Sequence, residues 1–234
     1  MEQVPEDASI GRIITTVTAH DGDLGISNPV TVSMEQKGVC STLFAIDKSS
    51  GTLTVARSLN RERNNLNNGN GACNITIKAT EHSEQGSQFG DLTSTTFVIV
   101  LITDVNDHHP TFNVATFTGE VLRTARVGMP VVVAEPIIVE DKDMGINGAM
   151  EFYLETVNGT HDATFDVIPK MAFSYAQLYL KVLNSTALRN YKHERISLGV
   201  VARESKTQRR HSNMVTVHIK IRNQITDICS HVHS

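Results

Sequence analysis

The sequence predicts an all-β protein built from two β-sandwiches in tandem. Short β-branched and aromatic segments alternate with turns rich in Gly, Asp, Asn and Ser along the whole chain. No segment reads as a helix. A set of features in the first half also returns, in the same order, about 120 residues later.

The first half opens with a turn signal, Val4-Pro-Glu-Asp-Ala-Ser-Ile-Gly11. The strand Arg12 to Ala19 follows, with Ile14, Thr16 and Thr18 on one face and Ile13, Thr15 and Val17 on the other. Asp21-Gly-Asp23-Leu-Gly25 is an acidic loop. Val30 to Met34 reads as a strand, and Phe44 to Val55 as strand, turn and strand with Gly51 at the turn. Asn64 to Gly71 is a polar insertion expected to form a mobile loop. Asn74 to Ala79 is a short strand, and Thr96 to Thr103 is apolar enough to be a buried one. Pro110 then stops the strand pattern, and Thr111 to Phe117 starts a new alternation. In the second half Asp141-Lys-Asp143-Met-Gly145 repeats the acidic loop, Phe165-Asp-Val167 repeats Phe44-Ala-Ile46, and Ala202-Arg-Glu204 repeats Ala79-Thr-Glu81. The boundary near Pro110 gives domains 1–107 and 108–225.

The junction carries the chemistry. Asp104-Val-Asn106-Asp107-His108-His109-Pro110 crowds two carboxylates and an amide into four residues. Such charges repel unless a cation lies among them. Oxygen-only ligands favour a hard ion, calcium before magnesium. The alternative is a plain polar linker. Other chemistries find no support. A formal charge of −4 argues against nucleic acid as a partner. No apolar run reaches the ~18 residues of a membrane span, and Met1-Glu-Gln-Val-Pro does not read as a signal peptide. There is no Gly-x-Ser-x-Gly or His-Glu-x-x-His motif, and exposed linker carboxylates make poor general acids, so no enzyme is expected. His108-His109 and His231-Val-His233 lack two further ligands at zinc spacing and read as solvated. Asn74-Ile-Thr76, Asn158-Gly-Thr160 and Asn184-Ser-Thr186 are glycosylation sequons. Cys40 and Cys73 are either a disulfide or two thiols; Cys229 is left over, free or paired with another chain.

These residues together resemble the cadherin family over nearly the whole chain. The resemblance rests on Pro5-Glu6-Asp7-Ala8, Asp21-x-Asp23, Leu59-Asn60-Arg61-Glu62, Asp104-x-Asn106-Asp107-x-x-Pro110-x-Phe112 and Asp141-x-Asp143-x-Gly-x-Asn147. It implies two Greek-key, immunoglobulin-like sandwiches with Ca2+ between them. The implied ligands are Glu6, Asn60, Glu62, Asp104, Asn106, Asp107, the carbonyl of His108, Asp141, Asp143, the carbonyl of Asn147, and Glu204. Asn60 replaces an Asp and should weaken one site; Glu204 also stands where Asp is usual. Asp21, Asp23 and Glu81 form half a site, as in a fragment of a longer chain. Arg123 stands in the position of Glu6, Arg189-Asn190-Tyr191 in that of Asn60-Arg61-Glu62, and no Asp-x-Asn-Asp follows the last strand, so calcium is not expected at that end.

The implied function is a calcium-dependent, homophilic or heterophilic cell–cell adhesion module from the extracellular part of a plasma-membrane glycoprotein, with other cadherin molecules as partners. The chain has no Trp, which excludes adhesion by Trp strand swapping here. The alternative function is a calcium-stiffened, force-bearing spacer with a flexible calcium-free end.

Overall fold

A strand with alternating apolar residues can bury only one face, so each half must fold two sheets against one another. The computed structural model shows this arrangement. It describes residues 1–22, 28–63, 66, 70–82, 91–156, 163–208 and 210–223. Asp23, Gly25, Asn158, Thr160, Cys229, His231, His233 and most of the Asn64–Gly71 insertion lie outside these residues. The chain divides into two units, Met1–Val105 and Asn106–Ser234.

In the first unit the elements are β1 (Glu2–Pro5), β2 (Ile13–Thr16), β3 (Val30–Met34), α1 (Cys40–Leu43), β4 (Phe44–Ile46), β5 (Thr52–Val55), β6 (Ala72–Glu81) and β7 (Leu92–Thr103). One sheet runs β1-β7-β6-β3 and the other β2-β5-β4. Val4, Phe44, Leu53, Leu59, Ile75 and Ile102 fill the space between them. Gly51 turns β4 into β5 at φ +68°, and a Cβ there would meet the Val17 carbonyl oxygen at 1.9 Å. No side chain fits that turn.

In the second unit the elements are β8 (Thr111–Phe112), β9 (Thr116–Leu122), β10 (Val132–Val133), β11 (Ile137–Glu140), β12 (Ala149–Thr156), β13 (Phe165–Ile168), β14 (Met171–Phe173), β15 (Tyr175–Val182), α2 (Ser185–Asn190), β16 (Arg195–Glu204) and β17 (Ser212–Arg222). The sheets run β10-β9-β17-β16-β12-β14 and β13-β15-β11-β8, closing over Phe117, Phe165, Leu178, Leu198 and Ile219.

Both units pair an early strand with the last one in parallel, β1 with β7 and β9 with β17; the other strand pairings are antiparallel. Parallel partners finish at the same end, so Pro5 lies opposite Thr103 and Leu122 opposite Arg222. The residues that follow each strand therefore emerge side by side.

Three expectations change. Among the described residues two short helices form where none was expected. α2 starts because the Asn184 side chain accepts from the backbone N–H groups of Thr186 and Ala187, a cap too local to create periodicity. The strict alternation from Ile13 fails because the register shifts between Ile13 and Thr15, leaving Ile13 65% exposed. Thr96 to Thr103 is buried only towards its end, at Val100 and Ile102; Phe97 faces out.

Cys40 and Cys73 form a disulfide that ties α1 to β6 across a sequence separation of 33. Closing a loop of that length restricts the unfolded chain by about 3–4 kcal/mol. Replacing both cysteines by Ala should lower the unfolding free energy by that order, read from denaturant melts. A loss under about 1 kcal/mol would mean that the bridge constrains little.

Candidate functional site

The site is assembled where strands end. In the first unit, β1 and β7 deliver Glu6 and Asp104 to one end. Glu6 continues the ladder, its N–H donating to the Thr103 carbonyl at 3.0 Å. Its carboxylate then accepts the backbone N–H of Arg61 at 2.8 Å and that of Val105 at 2.9 Å. One buried side chain thus pins the Leu59–Glu62 turn and the end of β7. One oxygen from each of Glu6, Glu62 and Asp104 falls within 4.8 Å of the others. Both Glu62 carboxylate oxygens are buried without a hydrogen-bond partner among the described residues. The Asn60 oxygen instead accepts the N–H of Arg63 at 2.7 Å and closes the turn.

In the second unit, a second acidic group gathers at the ends of β11 and β16. Asp141, Asp143 and Glu204 are fully buried. Asp141 accepts the Asp143 N–H at 3.1 Å with one oxygen; its other oxygen has no partner among the described residues. Glu204 accepts from the Asn106 amide at 3.0 Å and from Thr207 with one oxygen, and its other is equally bare. So is the Asn106 carbonyl oxygen. The Asn147 N–H donates to the Met144 carbonyl at 3.2 Å, folding the loop back. Gly148 lets that loop pass: a Cβ there would lie 2.3 Å from the Asp143 carbonyl oxygen.

The His108 side chain was missed in the sequence. Only its carbonyl was assigned a role and its ring was expected to be solvated. Instead the ring is half-buried, with Nδ1 at 2.7 Å from Asp107 and 3.1 Å from Asp143, while its backbone N–H also points at Asp143, 3.2 Å away. The short His-His run gave no sign that a buried carboxylate would lie against one of the two rings.

The electrostatics follow from this crowding. Burial pushes the Glu6 carboxyl up, its two backbone hydrogen bonds oppose that, and Glu62 and Asp104 add to the rise. Burial also raises Asp141, with a further push from Glu204. For His108 burial acts downward, but Asp107 and Asp143 outweigh it and hold its pKa above the ordinary value.

The other end of the second unit reverses the polarity. The Arg123 N–H donates to the Arg222 carbonyl at 2.7 Å, the same ladder position that Glu6 takes against Thr103. Where Glu6 accepts backbone N–H groups, Arg123 donates: to the carbonyls of Tyr191 and His193 and, at 2.8 Å, to the side chain of Asn223. A guanidinium fastens the same three segments that the carboxylate fastens in the first unit. Asp21 and Glu81, at the far end of the first unit, are joined through Asn28, which donates to Asp21 at 2.9 Å and to Glu81 at 2.7 Å.

Two outcomes follow. Glu6, Asp141 and His108 all have folded pKa values above their unfolded ones, so their contribution to stability is present at low pH and is lost as pH rises through the raised values. In chelator the melting temperature should therefore rise as pH falls from about 8 towards about 5. A flat or falling curve would contradict the crowding. Arg123→Ala should lower the stability of the second unit by about 1–2 kcal/mol, equally in chelator and in calcium. A loss that appears only in calcium would place a metal at that end.

Comparison with known proteins accords with this geometry. The cadherin-domain family profile matches residues 2–103. Cadherin-87A of Drosophila melanogaster is 31% identical over 220 residues, which cover 93% of this chain and 11% of that protein. Human cadherin-7 is 33% identical over 165 residues, 70% of this chain and 19% of its own length. Mouse cadherin-23 is 28% identical over 177 residues, 76% of this chain and 5% of the relative. The chain thus spans a small part of the curated relatives it matches. Among solved structures, the mouse cadherin-23 EC22-24 fragment superposes with a TM-score of 0.68 at 22% identity, covering 94% of this chain and 61% of that one. Protocadherin gamma B2 extracellular cadherin domains 3-6 gives 0.66 at 19% identity, covering 94% and 50%. Those likenesses show the sandwich fold. With the profile match, the related sequences and the acidic strand ends all agreeing, the chain belongs to the cadherin family.

Proposed function

We propose that the chain is a calcium-dependent adhesion module, two cadherin repeats at residues 1–107 and 108–225 from the extracellular part of a plasma-membrane protein. Cadherins are adhesion proteins and not enzymes, and other cadherin molecules are the expected partners. Calcium is held by Glu6, Asn60, Glu62, Asp104, Asn106 and Asp107 on the first repeat, and by the His108 carbonyl, Asp141, Asp143, the Asn147 carbonyl and Glu204 on the second.

One observation carries the calcium reading. Oxygens of Glu62, Asn106, Asp141 and Glu204 are buried, can only accept, and have no donor among the described residues. An unsatisfied buried acceptor costs about 1–3 kcal/mol, and more if charged. A hard cation with oxygen ligands removes that cost, so the residues fit calcium. Bound calcium supplies positive charge and fixed coordination. The protein's part is to hold the ligands in place: Glu6 through Arg61 and Val105, Glu204 through Asn106 and Thr207. His108 is the exception, since its ring lies against the carboxylates that calcium needs. A neutral ring must yield them, and a protonated one competes.

The spacer reading has its own observation. Arg123 occupies the position of Glu6 and its donors already serve the Tyr191–His193 segment and Asn223, so that end takes no calcium and can act as a bend. Self-association separates the readings. Dimerisation that needs calcium, measured by sedimentation, supports adhesion; a monomer at every concentration supports the spacer.

Calcium itself is tested by thermal melting. With dissociation constants of ~10⁻⁴ to 10⁻³ M, as for extracellular modules, millimolar calcium should add about 0.4–1.4 kcal/mol per ion. Asp107→Ala should remove much of that gain and Asp21→Ala little. Identical curves in chelator and calcium would overturn the reading.

A further inference from the structure

The sheet β1-β7-β6-β3 of the first unit has an outer face as well as a core face. Cys73, Ile75 and Ile77 of β6 and Val100 and Ile102 of β7 point inward and are buried. Alternation sends Asn74 and Thr76 of β6, and Phe97, Ile99 and Leu101 of β7, to the outer face. Register then sets Asn74 opposite Ile99 and Thr76 opposite Phe97. Phe97 is 69% exposed, and Ile99 and Leu101 are partly exposed beside it. The rest of that face is polar, with Ser33, Lys78 and Thr95. An apolar stripe therefore runs along β7 without cover from the described residues of its own unit, and a glycosylation sequon lies directly across from it.

We propose that Asn74 carries an N-linked glycan whose first sugars lie along Phe97 and Ile99. The acceptor sequence Asn74-Ile-Thr76 is complete, and extended backbone puts its Asn and Thr on the same exposed face. In the modification, Asn74 Nδ2 bonds to the anomeric carbon of a lipid-pyrophosphate-linked oligosaccharide. The bond from that carbon to the pyrophosphate breaks, the amide loses one proton, and the lipid pyrophosphate leaves. A pyranose ring has one face made of C–H groups, which packs on an aromatic ring as an aliphatic side chain does. Cross-strand neighbours stand about 4.5–5.5 Å apart, so the first sugar on Asn74 reaches Ile99 and, along the strand, Phe97. The alternative occupant, a second protein, would have to displace a bulky, hydrated chain anchored in the middle of the face. Partner contacts of the first unit then fall on its other surfaces. At the other described sequon the Asn184 side-chain oxygen accepts the backbone N–H groups of Thr186 and Ala187 that start α2.

The proposal rests on the extracellular placement given above, since only chains entering the secretory route meet the sugar donor. The test is the full chain secreted from mammalian cells, with peptide mass mapping before and after enzymatic glycan release in heavy-oxygen water. A glycan at Asn74 is expected in the same molecules that carry the Cys40–Cys73 bridge. A bare Asn74 in bridged, secreted molecules overturns the site while leaving the extracellular placement intact. Thr76→Ser should keep the glycan and Thr76→Ala should abolish it. Seating on the stripe is read from melting temperatures. Releasing the glycan from the folded protein should lower the melting temperature, and Phe97→Ala should shrink that drop to less than half. An equal drop in both backgrounds overturns the contact with Phe97. Because the glycan is released after folding, the comparison holds even if Asn74→Gln is not secreted.

Discussion

Buried oxygens that can only accept hydrogen bonds set the terms for the site. A carboxylate taken out of water needs donors or a cation. Glu6 finds donors in two backbone N–H groups, and in doing so fastens a turn and a strand end that are far apart in sequence. Glu62, Asp141 and Glu204 each keep at least one buried oxygen with no donor among the described residues. A fold that only needed stability would gain from replacing such groups with apolar ones. Their presence makes sense if something positive completes them.

The parallel pairing of an early strand with the last one makes this arrangement possible. It brings both strand ends out together, so in each unit the residues that follow those two strands meet at one end without a long loop. The two units use the same ladder position for opposite purposes. An acceptor there, Glu6, gathers further acceptors around itself and leaves an acidic cluster. A donor there, Arg123, gives its hydrogen bonds to carbonyl oxygens, and among the described residues no acidic cluster gathers beside it. One change of side chain, with its neighbours, separates an acidic strand end from one fastened by a guanidinium.

Much of this was legible in the sequence because it is periodic or local. Val30–Met34, Phe44–Ile46 and Thr52–Val55 form as strands at the residues that the alternation marks, and Gly51 holds the turn that only glycine can make. Charge crowding shows in the spacing only at Asp104–Asp107; Glu6, Glu62, Asp141, Asp143 and Glu204 were expected as ligands through the resemblance to cadherins. What stayed hidden depends on tertiary neighbours. The bulge at Ile13 to Thr15, the outward turn of Phe97 and the choice of a disulfide over two thiols need a partner strand to decide them. The His108 ring was hidden for the same reason, since its carboxylate neighbour Asp143 is 35 positions away.

The central claim is that the acidic strand ends exist for a cation and the arginine-closed end does not. Amide hydrogen exchange of the whole chain, in chelator and in millimolar calcium, tests it most directly. Protection should rise in peptides carrying Arg61–Glu62, Asp104–His108 and Asp141–Gly145, and stay unchanged around Tyr191–His193 and Arg222–Asn223. Unchanged protection at the acidic ends, or an equal gain at the Arg123 end, would contradict the account.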